Sequence, residues 1–430
     1  MGMIINIDQG LKNRSDYNIL AEPLHKMMMD EQEAFEKENP IDFLFVRNSI
    51  STFQEVYSSS IGFAKAFSET SDYALGPIFN KAEGFTATYR TRTFQGTFII
   101  TQQVLEDRQL GTIKDDASQF VRRWNGDVVE YCMASMDAGF GIEVAWAGGD
   151  GKVSRLYLES ADTTDGYIHT ATKNPLFSVT HKTVKREDGT GGISQSNMFY
   201  ANVDIAGSEP NRVSALADVI DQVITRMENL KDDNGKYAGV QGAKTIVAAN
   251  DPHLKAAINA ALSSEIFCQG ETEYPNPAYK RCDAKFTPYL NDNEATKDGY
   301  GFFIVDKGYN AKNHGLELTE RIAFTLDAIW NDRPKGVIYD GRQRFDVNVA
   351  TWRGIAYVRI KMYTLAGTEG ALKTYLNKTD SVGDGSGTAH YTVLTPLATI
   401  VKSVSVAGKV TTETTVKNTE TNPVPTTVVT

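Results

Sequence analysis

The sequence predicts an α+β fold, and three observations predict it. A two-residue alternation runs from Phe85 to Phe94, a long amphipathic helical pattern occupies 113–137, and strand and helix patterns follow one another between 212 and 335. The other segments connect or flank these elements.

Residues 1–50 read as an N-terminal arm. They are polar, carry the acidic stretch Asp30 to Glu38 and end at Asn39-Pro40, with a short helix expected at 24–36. Period two begins beyond Ser51. In Phe85-Thr86-Ala87-Thr88-Tyr89-Arg90-Thr91-Arg92, one face carries Phe85, Ala87 and Tyr89, while Arg90 and Arg92 share the other. Residues 56–69 supply the partner strand, with 71–84 as an irregular tip. A hairpin so poor in aliphatic residues does not hold itself together in water and needs another surface to lie on.

The helix that follows has Ile113, Ala117, Phe120, Val121, Trp124, Val128, Cys132 and Met136 at steps of three and four. Asp115 and Asp116 are placed in its first turn, where negative charge favours the helix dipole. Its length is about 36 Å, enough to serve as a spine, and Ile113, Phe120, Trp124 and Val128 are its predicted core. Residues 140–210 are glycine-rich and polar, giving short strands and loops with an insertion near 151–166. A second helix spans 213–230, with Asn211 as its cap. Thr245 to Ala249 is a buried strand, and Asp251-Pro252 opens a helix running to about Leu262. Gly301 to Val305 repeats the strand pattern. Residues 343–350 and 355–363 then form a hairpin around Thr351-Trp352-Arg353-Gly354. Residues 371–389 form a flexible linker. The Thr-rich tail, 390–430, reads as a small β appendage, a strand-donating arm or disordered chain.

Composition narrows the function. Hydrophobic residues make up 41% and charged residues 23%, an ordinary globular balance. No apolar run reaches the roughly 20 residues of a membrane span. The formal net charge of -10 opposes wrapping nucleic acid by neutralising phosphates. Cys132, Cys268 and Cys282 are too scattered for a disulfide framework or zinc site and read as reduced thiols. No two of the six histidines have the helical i, i+4 spacing of a metal pair. The glycine clusters lack a phosphate-loop ending, and Gly192-Ile193-Ser194-Gln195-Ser196 stops short of a nucleophile elbow. Asp232-Asp233 and Asp115-Asp116 read as a solvated turn and a helix start. Trp124 and Trp352 read as core. No catalytic residue, metal or cofactor is expected, and the chain does not read as an enzyme.

Three phrases carry a resemblance. Ala82-Glu83-Gly84-Phe85-Thr86, continuing through Phe98-Ile99-Ile100-Thr101-Gln102-Gln103-Val104-Leu105-Glu106-Asp107, is similar to the extended loop of tailed-bacteriophage major capsid proteins as it enters their spine helix. Gly341-Arg342-Gln343-Arg344-Phe345-Asp346-Val347 through Ile355 resembles the end of the same proteins, and Pro175-Leu176-Phe177-Ser178 through His181 a further segment. The resemblance covers about 40–365 as an order of elements.

It implies the Hong Kong 97-type capsid fold. That fold would comprise an extended loop at 60–103, a peripheral domain at 40–210 and 336–370 including the spine helix, and an axial domain at 212–335. It further implies self-assembly into pentamers and hexamers of an icosahedral head shell, built in the host cytoplasm and ending in the virion. The shell would enclose double-stranded DNA without sequence-specific binding, with scaffolding, portal and decoration proteins as possible partners and no membrane. The extended loop would lie across a neighbouring copy through Lys81, Phe85, Tyr89, Arg90 and Arg92. One member of the family crosslinks its shell through a loop lysine and a peripheral-domain asparagine. Lys81 and Asn348 match those residue types, but no catalytic carboxylate can be placed beside them. An encapsulin-type shell and a β-rich carbohydrate-active or binding protein are the alternatives.

Overall fold

The computed structural model describes residues 14–62, 82–101, 103, 110–141, 144, 156–160, 172–183, 192–201, 212–233, 235–269, 272–293, 295–296, 301–332, 335–360, 392–394, 400–406, 409–415 and 426–428. Helix α1 (Arg14–Glu36) and strands β1 (Val46–Ser49), β2 (Gln54–Gly62), β3 (Ala82–Arg90) and β4 (Arg92–Thr101) precede the long helix α2 (Leu110–Ala138). Short strands β5 (Tyr157–Ser160), β6 (Thr172–Pro175), β7 (His181–Lys182), β8 (Ser194–Gln195) and β9 (Met198–Ala201) follow, then α3 (Arg212–Glu228). Next come β10 (Lys244–Ala249), α4 (Pro252–Ser263), β11 (Ile266–Gln269), β12 (Thr272–Pro275), β13 (Cys282–Thr287), β14 (Gly301–Asp306) and α5 (Lys307–Asn313). Strands β15 (Leu316–Asp332), β16 (Lys335–Val349) and β17 (Ile355–Arg359) close the body. The C-terminal segment adds β18 (Thr392–Leu394) and the antiparallel sheet of β19 (Ile400–Val406), β20 (Lys409–Thr415) and β21 (Thr426–Val428).

Two sheets organise this α+β chain. The first has the order β1-β15-β16-β4, with β16 antiparallel to both of its neighbours, β15 and β4. Its inner face packs on α1 and the first half of α2, through Leu24, Met28, Ile113, Ala117 and Val121 against Ile100, Leu326, Val337 and Tyr339. The second has the order β13-β10-β14-β17-β9-β18. Alternate residues of its central strands face opposite layers. Ile246, Ala248, Phe302, Ile304, Ala356 and Val358 pack on α3 and α4. Val247, Phe303, Val305, Ile355 and Tyr357 share a core with Cys132, Met133 and Met136 of α2. One helix therefore serves both sheets.

Close backbone approach seats that helix. Gly96 and Gly341 are register partners on β4 and β16. A Cβ on Gly96 would lie 3.0 Å from the Trp124 ring, and one on Gly341 would lie 3.4 Å from it. The indole Nε1 donates to Gln343 Oε1 at 3.1 Å. Two turns further along, Tyr131 donates to the buried Asp346 carboxylate at 2.7 Å.

Four sequence expectations change. The segment 24–50 is no loose arm: Leu24, Met28, Ile41, Leu44 and Phe45 are buried, because α1 and the turn after it cover the spine. The helix starts at Leu110, so Asp115 and Asp116 lie in its second turn. Strands β16 and β17 do not form a hairpin; the turn at 351–354 carries the chain from one sheet to the other. Consequently β15, expected in the axial domain, belongs to the first sheet, and β17 to the second. The caps of α4 match the sequence reading, with Asp251 accepting from Leu254 N at 2.8 Å and Pro252 in the first turn. Asn211, Lys81, residues 71–81 of the expected tip and the linker at 371–389 lie outside the described residues, whereas 82–84, expected as part of that tip, belong to β3.

The second sheet encloses an ion pair. Lys244 Nζ is 2.9 Å from Asp306 Oδ2, with side chains 2% and 0% exposed. The ammonium also donates to the carbonyls of Val240 and Gly242, and the carboxylate accepts from Gly242 N and Tyr309 N. Removing one partner leaves the other buried and unpaired, a loss of about 3–5 kcal/mol. Urea denaturation of Lys244→Met should show that loss, and Lys244→Met with Asp306→Leu should recover much of it. Separately, Gly96→Val must displace the Trp124 ring and should cost about 1–3 kcal/mol in the same assay.

Candidate functional site

The surface on which an assembly function would rest is the finger formed by β2 and β3. They pair antiparallel, with Gln54 opposite Arg90, Tyr57 opposite Ala87 and Ser58 opposite Thr86, and form a sheet of two strands. Along β3, Phe85 and Ala87 are half-buried and Tyr89 is buried, while Thr86, Thr88 and Arg90 are exposed. Gln54 and Val56 of β2 are exposed as well.

The root of the finger is held by its own chain. Tyr89 is 1% exposed, and its hydroxyl donates to the His314 carbonyl at 3.0 Å. Its ring meets Tyr57 edge-on at 4.6 Å, and Tyr57 stacks on the His314 imidazole at 4.1 Å. Burial, with the Glu317 carboxylate nearby, pushes the Tyr89 phenol far above its ordinary range. The Asn348 side chain clamps the Arg90 backbone, donating to its carbonyl at 3.1 Å and accepting from its amide at 3.4 Å.

These contacts correct the expectations for Tyr89 and Arg92. Thr91 is buried and belongs to neither strand, so the alternation shifts by one residue there. Arg90 points outward, but Arg92 falls on the inner face. Its Nη1 donates to Tyr131 Oη at 3.2 Å, and its guanidinium lies 6.0 Å from the Phe94 ring and 5.8 Å from the Tyr131 ring. Tyr89 and Arg92 therefore anchor the finger to its own subunit, whereas Phe85 and Arg90 remain on its accessible part. Asn348 is engaged in the clamp.

Of the predicted spine core, Ile113 is buried, while Phe120, Trp124 and Val128 are half-buried. Phe120, Trp124 and Val128 line an open groove of about 380 Å³ with Phe94, Gly96 and Phe345. Sequence reasoning missed Val129, Tyr131 and Met133, all buried. The helix's second half is enclosed on more than one face, which a single stripe does not capture. The stacked root of Tyr57, Tyr89 and His314 was also missed, since β2, β3 and the end of α5 are distant in sequence.

Other candidates are structural. The Asp233 carboxylate pairs with Arg353 at 2.9 Å, tying the turn at 231–237 to the crossover between sheets. Burial pushes the Cys132 thiol far up and that of Cys282 to about 12. His181 is buried and stacks on Trp352 at 4.3 Å. Its Nε2 lies 3.1 Å from the Leu176 carbonyl and 3.2 Å from Asn197 Oδ1, two acceptors that place the proton on Nε2. No described helix is long and apolar enough to cross a membrane.

No protein-family model matches the chain. No curated protein matches it. Among solved structures it is similar to a chain of Mycobacterium phage Patience, with 13% identity and a TM-score of 0.43, covering 84% of this chain and 91% of that one. It is also similar to the capsid of a native GTA particle, with 10% identity and a TM-score of 0.39, covering 75% and 90%. A virus-like particle from Pyrococcus furiosus gives 9% identity and a TM-score of 0.36, covering 79% and 98%.

Burial depresses the His181 imidazole to about 3, against 6.5 for the free side chain, despite the opposing bonds to Asn197 and Leu176. Between those values the unfolded chain binds a proton that the folded chain does not. Stability from this group is complete above about pH 6.5 and falls by about 1.4 kcal/mol per pH unit as pH drops towards 3. Unfolding free energies of His181→Gln across pH 7 to 4 should follow a correspondingly shallower slope than those of the parent chain.

Proposed function

We propose that this chain is a structural subunit that assembles with copies of itself into an icosahedral head shell of the tailed-phage kind. The observation that carries this reading is the finger. Two paired strands leave the body, and among their described side chains only Tyr89 is buried. A two-stranded ribbon is at best marginally stable in water. The root is anchored, so the paired strands 54–62 and 82–90 leave the body in a defined direction. A rigid root with an unsupported outer face suits a contact completed by the next subunit.

The frame behind the finger supports the same reading. The spine helix couples two sheets into one body, which can transmit a contact at the finger to a contact at the second sheet. Residues Phe85 and Arg90 are the contacts proposed for the neighbouring copy, with Lys81 on the same loop. An acidic subunit offers carboxylates to Arg90, each exposed pair contributing about 0.2–1 kcal/mol, and a closed shell repeats that gain many times. Pentamers and hexamers, enclosed double-stranded DNA, and scaffolding, portal and decoration proteins belong to this proposal, as do assembly in the host cytoplasm and a final place in the virion. The role is structural and not catalytic.

Shortening the finger tests it. Ser58 and Thr86 are register partners, so an Asn-Gly turn can join them and delete 59–85 without touching Tyr57 or Tyr89. This variant should unfold at the same urea concentration as the parent but form no capsomers, tubes or shells by gel filtration and negative-stain microscopy. Closed shells from the shortened chain, or a parent chain that stays monomeric at high concentration, would sink the reading.

A further inference from the structure

The first sheet has an edge that its own described strands leave open. Strand β1 pairs with β15 only from Glu317 to Glu320, and Ile50 N adds one bond to the Glu320 carbonyl. Register shifts interrupt the β15–β16 ladder between Glu320 and Thr325. From there it runs unbroken, with Thr325 opposite Arg342 and Asp332 opposite Lys335. Among the described residues no strand pairs with the other side of 325–332. Open edges are ordinarily blunted by bulges, lysine or proline, and this stretch has none of the three.

The solvent face beside that edge is apolar in one row and acidic in the next. Ile329, Ile338 and Ile99 are register partners across β15, β16 and β4, with Ile329 56% and Ile99 38% exposed. Two residues along, Asp327 lies directly opposite Asp340, and neither carboxylate has an ion-pair partner among the described residues. Like charges so placed destabilise a sheet. A strand added to the edge would answer both rows if it carried a basic residue beside Asp327 and an apolar one beside Ile329, two positions apart.

We infer that the edge of β15 at 325–332 accepts strand β19 from the tail of a second copy of this chain. Strand β19 ends its own sheet, so its second side is unpaired among the described residues. Its sequence, Ile400-Val401-Lys402-Ser403-Val404-Ser405-Val406, has the required alternation. Antiparallel pairing is the slightly more stable kind. With Lys402 opposite Asp327, it places Ile400 opposite Ile329 and Val404 opposite Thr325. Pairing β15 with β15 of another copy would instead bring further aspartates to an edge that already lacks a cation.

The length of the tether favours a neighbour's tail over the chain's own. Strand β18 pairs with β9 at the end of the second sheet, and residues 395–399 then span at most about 20 Å to β19. Leu316 and Leu318 of β15 lie in the core shared with the second sheet, whereas Thr325 is about 30 Å further along the strand. The clasp is separate from the finger, and its place in a shell rests on the proposed function.

Thiol crosslinking of full-length chains tests the clasp. Copies carrying Thr325→Cys and copies carrying Val404→Cys are mixed at the concentration used to follow assembly and treated with a short bismaleimide. The mixture should give a crosslinked dimer above the background set by the parent chain, and neither variant alone should. Adding Lys402→Glu to the Val404→Cys copy should slow crosslinking about two- to five-fold, the range of an exposed ion pair. Adding Asp327→Lys to the other copy should then restore the rate. Asp327→Lys on its own should give the same slowing, so either reversal suffices if the other fails to fold. No dimer above background, crosslinking only within a chain that carries both cysteines, or a rate indifferent to either reversal overturns the clasp. Microscopy of the same samples separates the two readings. Crosslinked copies that form no shells support the clasp and refute the shell subunit; shells without crosslinks do the reverse.

Discussion

The packing of one helix against two sheets is the constraint on which this molecule depends. Its first half lies on the inner face of β4, β15 and β16, and its second half enters the core beneath β10, β14 and β17. Close packing makes such contacts intolerant of small displacements. Gly96 and Gly341, side by side on neighbouring strands, let the Trp124 ring approach the sheet backbone. Two turns on, Tyr131 fixes the helix's rotation by its bond to buried Asp346. With the helix so placed, the two sheets have one relative position, and the ends of their strands have defined exits.

The finger inherits its direction from this arrangement. Arg92 begins β4 and binds Tyr131 of the helix, while Thr91 turns the chain and Arg90 is clamped by Asn348 of β16. Arg90 and Arg92, on either side of Thr91, therefore engage two different elements. A ribbon leaving such a root is constrained in angle even where its own strands bury little. This separates anchoring from contact along the same strand: Tyr89 and Arg92 belong to the body, Phe85 and Arg90 to the accessible part.

Much of this was legible in the sequence, and the failures have physical causes. The spine helix, the strand at 244–249 and the Asp251-Pro252 cap were readable because each is local: a 3.6-residue stripe, an apolar run, a capping residue before proline. The break at Thr91 was not, since unbroken alternation and alternation interrupted by one residue look alike until the pairing register is known. Sheet membership failed for the same reason. The turn at 351–354 joins two strands as a hairpin loop would, and only long-range pairing of β17 with β14 shows that it crosses between sheets. The arm was misjudged because the apolar residues of 24–45 are spaced among acidic ones; their burial depends on a helix surface more than 65 residues away in sequence. The finger itself was visible through its period and its poverty in aliphatic residues. Its anchor was not, because Tyr57, Tyr89 and His314 meet only in the folded chain.

Charge follows a consistent division between inside and outside. Among the described residues, two enclosed ion pairs, Lys244 with Asp306 and Arg353 with Asp233, are also hydrogen-bonded to backbone, and each fixes a connection at which the chain turns sharply. Buried pairs of this kind contribute little net stability but penalise every arrangement that separates them. His314 and Glu317 differ, because the carboxylate is buried while the imidazole is in contact with water. Lys244 and Asp306 join neighbouring strands of the second sheet, and Arg353 with Asp233 holds the crossover between the sheets. His314 and Glu317 sit where the finger leaves the body.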